Sequence, residues 1–211
     1  MTRTILRGLA LLLLIFLYAA AWLAPFIAPH SPRHQFRNFS FAPPSRIVFQ
    51  SDTGAWEPAF HAIRRLDLNP TYEQTGALVP IRFLGRSEGY AWMGLQFQTR
   101  LFGSSDETQP LFLLGTDELG RDIFSRILFG ARYSLSIGLA AIFLTLVLGV
   151  LMGSVSGYFE GWTDRIVMRL SDVFLSLPGL FLVLGLRAIF PDLSGRLGLY
   201  VLIVTTFTLL G

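Results

Sequence analysis

Between Tyr133 and Phe159 the chain runs for 27 residues without a charged side chain. As a helix that stretch covers about 40 Å, more than the roughly 30 Å hydrocarbon core of a bilayer. A helix that is apolar on all sides must be buried in protein or lipid, and this one predicts a membrane span. Composition agrees. Of 211 residues, 52% are hydrophobic and 15% charged, with a mean hydropathy of +0.54. An ordinary globular domain carries roughly 25% charged residues. Disorder and a purely soluble fold are therefore disfavoured.

Three further apolar segments stand out. Leu9–Ala28 has 20 uncharged residues, about 30 Å as a helix, preceded by Arg3 and Arg7. It reads as an uncleaved anchor, with a cleaved signal peptide as the competing reading because small residues occur at Ala19–Ala21. Val173–Phe190 is the third span, with a kink or break expected at Pro178 and Arg187 near its end. Leu197–Gly211 reaches only about 22 Å as a helix. It reads as a span cut short, so the sequence reads as a fragment of a longer protein; a short re-entrant or interfacial tail is the alternative. Basic residues before the first span place the amino terminus in the cytoplasm. Alternation then puts the insert outside, a polar loop at Glu160–Asp172 inside and a turn at Pro191–Arg196 outside. Arg165 and Arg169 agree with that order, while Arg187 and Arg196 do not help.

From Pro29 to Ala131 the composition changes to 10 Arg against 10 Asp plus Glu, punctuated by prolines. Loops and short strands are expected there. Val79–Leu84 and Tyr90–Phe97 are candidate strands around a turn at Gly85–Gly89, and Phe102–Pro110 reads as a loop. Gly149, Gly153 and Gly157 recur every four residues and share one face of the second span, open to close approach by another helix within the chain or from a second copy.

All 17 basic residues are Arg, and Lys and Cys are absent. A P-loop ATPase and a Schiff-base lysine enzyme are excluded, as are disulfides and thiolate metal sites. The net charge of +3 and a pI near 9.7 do not point to nucleic acid, because the Arg residues are scattered. His30 and His34 have helical metal-ligand spacing, but Pro32 lies between them and no third ligand is adjacent; they read as juxtamembrane residues. His61 is isolated. Asp52 with Glu57, or Asp106 with Glu107, could form an acid–base pair only if the fold joined them. The triplet Asn38-Phe39-Ser40 has the form of a glycosylation sequon. Hydrolase, metalloprotease and dinucleotide motifs are missing. Trp22, Tyr133, Tyr158 and Trp162 read as interfacial anchors.

The segment LLGTDELGRDIFSRILFGARYSLSIG, Leu113–Gly138, reads as a short amphipathic helix leading into the second span. Thr116 is placed as its N-cap, with Asp117 and Glu118 in its first turn. Leu119, Ile123 and Ile127 form an apolar stripe, and Asp117–Arg121 and Asp122–Arg126 are i, i+4 pairs, each worth about 0.2–0.5 kcal/mol.

This run resembles the signature of inner-membrane permease subunits of ABC importers, in the dipeptide, oligopeptide and nickel branch. The later string GYFEGWTDRIVMRLSDVFLSLPGLFLVL, Gly157–Leu184, matches the same branch. The two matches cover about Leu113–Leu184. The segment after the first span is longer than in compact members, and the cytoplasmic loop that docks on the ATPase should follow the fourth span, beyond Gly211. The resemblance implies an all-α polytopic membrane protein, the N-terminal part of a permease helical bundle, with a small mixed extracytoplasmic insert. Its parts are a cytoplasmic amino terminus and first helix (1–28), the insert (29–112), the signature helix (113–132) and the transmembrane core (133–211). It implies one half of a peptide-type translocation pore working by alternating access, without an ATPase site or cofactor of its own. ATP and Mg would bind two partner ATPase subunits. A second, related permease, an extracytoplasmic solute-binding protein and membrane lipid complete the expected partners, with no nucleic acid.

The motif positions expected to matter structurally are Gly115, Thr116, Asp117, Gly120, Arg121, Asp122, Arg126, Gly130 and Arg132, then Gly157, Gly161, Asp164 and Arg169. Gly149 and Gly153 are expected to serve helix packing. A rival from another class is a membrane-anchored extracytoplasmic binding or enzymatic domain, against which the second and third spans count.

Overall fold

A computed structural model describes the chain apart from residues 1, 51–56, 67–70, 93, 107, 192–194 and 211. It divides into two compact units, Met1–Arg132 and Tyr133–Gly211. The first begins with α1, Thr2–Trp22, whose large apolar side chains from Leu9 to Leu17 are all exposed. Such a helix suits lipid rather than water. It ends at Trp22 and not at Ala28 as expected, because Pro25 lacks the N–H that would continue the ladder. A single turn, α2 (Ala24–Ile27), follows with Ala24 and Pro25 buried.

The insert is a small antiparallel β structure. Strands β1 (Ile47–Gln50), β2 (Glu57–Arg65) and β3 (Tyr72–Phe83) pair in sequence, and β6 (Phe102–Ser104) adds to the far edge of β3. Strands β4 (Arg86–Trp92) and β5 (Leu95–Thr99) form a separate hairpin. The candidate strand Val79–Leu84 is therefore the end of a longer β3. Tyr90–Phe97 is two strands, folded back at Gly94, whose φ of +83° suits glycine. Part of the expected loop Phe102–Pro110 pairs as β6 because Ile81, Arg82 and Phe83 offer it a ladder. Strand β2 supplies two cores: Phe60 and Ala62 pack with Val79 and Leu111, and Ile63 packs with Ala42 and Phe112.

Helix α3 runs unbroken from Ile123 to Phe159, 37 residues or about 55 Å. In the second unit it is followed by α4 (Gly161–Ser176), α5 (Gly179–Ile189) and α6 (Arg196–Leu210). Two expectations are corrected. Glu160–Asp172 is not a loop but most of α4, since its charges at 164, 165, 169 and 172 fall at helical spacing between apolar residues. The third span breaks at Pro178 as expected, but its bounds differ: its first part belongs to α4, which stops at Ser176, and α5 leaves at 91° after Pro178. Proline denies the ladder a donor there and holds Leu177 extended. Among the described residues, helices α1 and α3 are long and apolar enough to cross a membrane, and the bent α4–α5 pair makes a third such segment if it counts as one. Helix α6 rests on α4 and α5, and Gly179 lies beneath Leu210, where a β-carbon would stand 2.7 Å from Leu210 Cδ1. An apolar groove of about 870 Å³ runs between α3 and α6, lined by residues such as Ala141, Thr145, Ile203 and Phe207.

Candidate functional site

The signature residues are not helical before Ile123. They form a tight loop clasped by the segment that follows α2. Phe36 N–H donates to the Gly120 carbonyl (2.9 Å), Phe41 N–H to the Asp117 carbonyl (3.0 Å) and Thr116 N–H to the Ala42 carbonyl (3.0 Å). Ser45 N–H donates to the Phe112 carbonyl (2.7 Å), and Phe112 N–H returns a bond to Ser45 Oγ (3.0 Å). Two glycines make this approach possible. Gly115 and Gly120 have φ of +78° and +70°. A β-carbon on either would come closer than 3.0 Å to a backbone oxygen, that of Ala42 or Phe36. Thr116 is therefore not the cap of α3. Its buried hydroxyl accepts from Ala42 N–H (2.8 Å) and donates to the Phe39 carbonyl, so it rivets the clasp.

The cap of α3 is Asp122. Its Oδ2 accepts from Ser125 N–H (3.0 Å) and from the Ser125 hydroxyl, the third residue into the helix. The expected Asp122–Arg126 pair does not form, because Asp122 is fully buried. Arg126 reaches back to Asp117 instead. Asp117 and Arg121 do pair, Nε to Oδ2 at 2.8 Å. The expected stripe of Leu119, Ile123 and Ile127 also fails, because Leu119 precedes the helix and is exposed.

The two carboxylates thus occupy opposite environments. Asp117 accepts from the backbone N–H groups of Leu119 (2.9 Å) and Arg121 (3.0 Å) as well as from both guanidinium groups. Partial desolvation works to raise its pKa, but the Arg121 and Leu119 bonds and the Arg121 charge outweigh it and hold the carboxyl below the usual value. For Asp122 desolvation wins over the bonds from Ser125 and Phe124, and its pKa is raised. Among the described residues its Oδ1 has no hydrogen-bond partner.

His30 completes this buried corner, which sequence reasoning missed. Its N–H donates to Ser125 Oγ (3.2 Å), and its Nε2 lies 3.0 Å from the Leu111 carbonyl. The ring packs on Phe36 and Phe112 at 4.8 and 5.7 Å. Burial lowers its pKa to about 4, with help from the charges of Arg100 and His34 against the Leu111 bond. A neutral ring whose Nε2 faces a carbonyl carries the proton on that nitrogen, which is then unavailable to a metal. The described residues hold no cluster of three or more potential metal ligands. Asp52 and Glu107 lie outside the described residues, while Asp106 binds Thr108 by its side chain. The only local signal for the true helix start was the Asp122-x-x-Ser125 spacing. Nothing local marks His30, whose partners lie 81 and 95 residues away.

The remaining motif positions are dispersed. Gly130 and Arg132 lie on α3, where a β-carbon on Gly130 would meet open space. Gly149, Gly153 and Gly157 likewise face open space. In the second unit, Glu160 and Gly161 turn the chain with φ of +49° and +57°, and the Ser156 hydroxyl donates to Asp164 across that turn. Arg169 is exposed on α4.

The fold thus joins helices long and apolar enough to cross a membrane to a charged, glycine-dependent clasp. A family model described as the N-terminal TM domain of oligopeptide transport permease C matches residues 8–44, a stretch that ends inside the clasp. The chain is 32% identical over 184 residues to a di/tripeptide transport system permease protein of Pseudomonas aeruginosa, covering 87% of this chain and 41% of that protein. It is 49% identical over 76 residues to a glutathione transport system permease protein of Pectobacterium atrosepticum, covering 36% of this chain and 25% of that one. An oligopeptide transport system permease protein of Bacillus subtilis is 46% identical over 90 residues, 43% of this chain and 28% of the relative. The chain is thus a relative of the ABC permeases of the dipeptide and oligopeptide branch. It spans between a quarter and about two-fifths of the length of these relatives.

Proposed function

We propose that this chain serves as a pore-forming transmembrane subunit of an ATP-driven importer for peptides or similar small solutes. The observation that carries the reading is the 184-residue similarity to a di/tripeptide permease, which covers 87% of this chain. Transport proceeds by alternating access, with ATP and Mg bound on two partner ATPase subunits and none on this chain. A second, related permease forms the other half of the pore, and an extracytoplasmic binding protein delivers the solute. The amino terminus lies in the cytoplasm of a bacterial-type cell, the chain spans the inner membrane, and the insert faces outward. Arg3 and Arg7 ahead of α1 support that orientation. Peptides and glutathione are favoured over nickel because the named relatives carry the former. The anchored-domain alternative is weaker, since α3 adds a second long apolar helix that a simple anchor does not need.

The test is reconstitution of the transporter with its partner permease, ATPases and binding protein in proteoliposomes. ATP-dependent uptake of labelled dipeptide or glutathione is expected, and Arg121→Ala should reduce uptake or complex yield. Uptake that ignores ATP, or an insert that turns over a ligand without the spans, would overturn the reading.

A further inference from the structure

The β4–β5 hairpin is fastened to the end of the first span. Trp22, the last residue of α1, meets Trp92 of β4 edge to face, ring centroids 5.0 Å apart. Just beyond the hairpin, Arg100 is buried and donates from Nη1 to the Ala28 carbonyl at 2.6 Å, with its guanidinium 5.4 Å from the Tyr90 ring centroid. Leu101 N–H donates to the Phe26 carbonyl (2.8 Å), and Leu84 N–H donates to the Leu101 carbonyl (3.0 Å). These bonds hold the hairpin and the end of β3 beside the end of α1. There the surface is apolar and aromatic. Leu84 is 61% exposed, Leu95 64% and Trp22 53%; on the hairpin Tyr90 stacks on Phe97, and Trp92 meets the same ring at a tilt.

Trp and Tyr favour the membrane–water interface, where an apolar body and a polar edge are both accommodated. Exposed leucines beside them gain by entering the acyl boundary. We infer that the β4–β5 hairpin, through Leu95 near its turn and Leu84 beside its open end, inserts into the interface of the same bilayer that α1 crosses. The occupant of this apolar surface is lipid, because the surface is continuous with Trp22 of the span itself. The insert is then seated on the membrane by a second, non-helical foothold.

The absence of native Cys makes a direct test simple. Single cysteines at 95, 84 and 74 are spin-labelled in the transporter reconstituted in vesicles of phosphatidylethanolamine and phosphatidylglycerol. Gln74 is an exposed polar residue at the opposite end of β3, about 30 Å along the strand from Phe83. Labels at 95 and 84 are expected to be open to oxygen and closed to a water-soluble nickel chelate, while the label at 74 is open to the chelate. Labels at 95 and 84 as open to the chelate as 74 would overturn the inference. Labels shielded from both reagents would overturn it equally, since a protein would then cover these residues.

Discussion

Gly120 and Phe36 meet backbone to backbone. The Phe36 amide donates to the Gly120 carbonyl at 2.9 Å, and the Phe36 carbonyl oxygen occupies the space a β-carbon on Gly120 would need. Gly115 stands in the same relation to Ala42. An alanine at either position has to leave the left-handed region or push the clasp open. Gly120→Ala and Gly115→Ala should each destabilise the protein by about 2–4 kcal/mol. Gly130→Ala, which meets open space inside a helix, should be neutral or slightly stabilising. Thermal unfolding in detergent checks the contrast, and equal melting temperatures for all three variants would refute it.

Asp117 is the hub of the exposed side of the clasp, serving two amides and two guanidinium groups. Asp117→Ala should cost about 2 kcal/mol, with the part-exposed ion pairs contributing less than the amide bonds. Because its folded pKa is depressed, this stability is present above the unfolded carboxyl pKa and lost as pH falls through the folded value. The difference in melting temperature between parent and variant should therefore shrink on acidification; a constant difference from neutral to strongly acid pH contradicts the assignment.

Asp122 has the opposite sign. Its folded pKa is raised, so its favourable contribution is complete below the unfolded pKa and disappears as pH rises through the folded value. Asn retains an oxygen for the Ser125 amide and removes the buried charge. At pH 7, Asp122→Asn should be as stable as the parent or more so, whereas Asp122→Ala should lose about 1 kcal/mol or more with the cap. A melting temperature for the Asn variant several degrees below the parent at pH 7 would reject the buried-cap account.

His30 is held neutral, with a pKa of about 4 against 6.5 in the unfolded chain. Between those values the unfolded state binds the extra proton, so stability falls as pH falls through the window, by at most about 3 kcal/mol. His30→Gln keeps a donor for the Leu111 carbonyl and cannot titrate. In an Asp122→Asn background, which silences the neighbouring carboxyl, His30→Gln should flatten the pH 4–6.5 slope of the melting temperature. A slope that persists unchanged assigns the acid sensitivity elsewhere.

The two long apolar helices, α1 and α3, were legible in the sequence from length and hydropathy alone. The prominence of the motif was legible too, but not its shape. Thr116, Asp117 and Glu118 look like the first turn of a helix, and only the positive φ of Gly115 and Gly120 shows that they are a loop. The decision between the two rests on residues 36–45, whose partners lie 67 to 84 positions further along the chain, and no local pattern encodes that meeting. Helix α4 was misread because its charges at 164, 165, 169 and 172 resemble a polar connector until their helical spacing is counted.

The reciprocal bonds between Ser45 and Phe112 have a consequence for how such a chain could arise. They bring the two ends of the 66-residue stretch between them into contact, so the whole β insert departs from and returns to one point. A detour with touching ends adds little closure entropy however long it grows. The clasp of residues 36–45 on 112–122 can thus be inherited intact while the excursion is enlarged, exchanged or excised, in the manner of a graft on an unaltered stem.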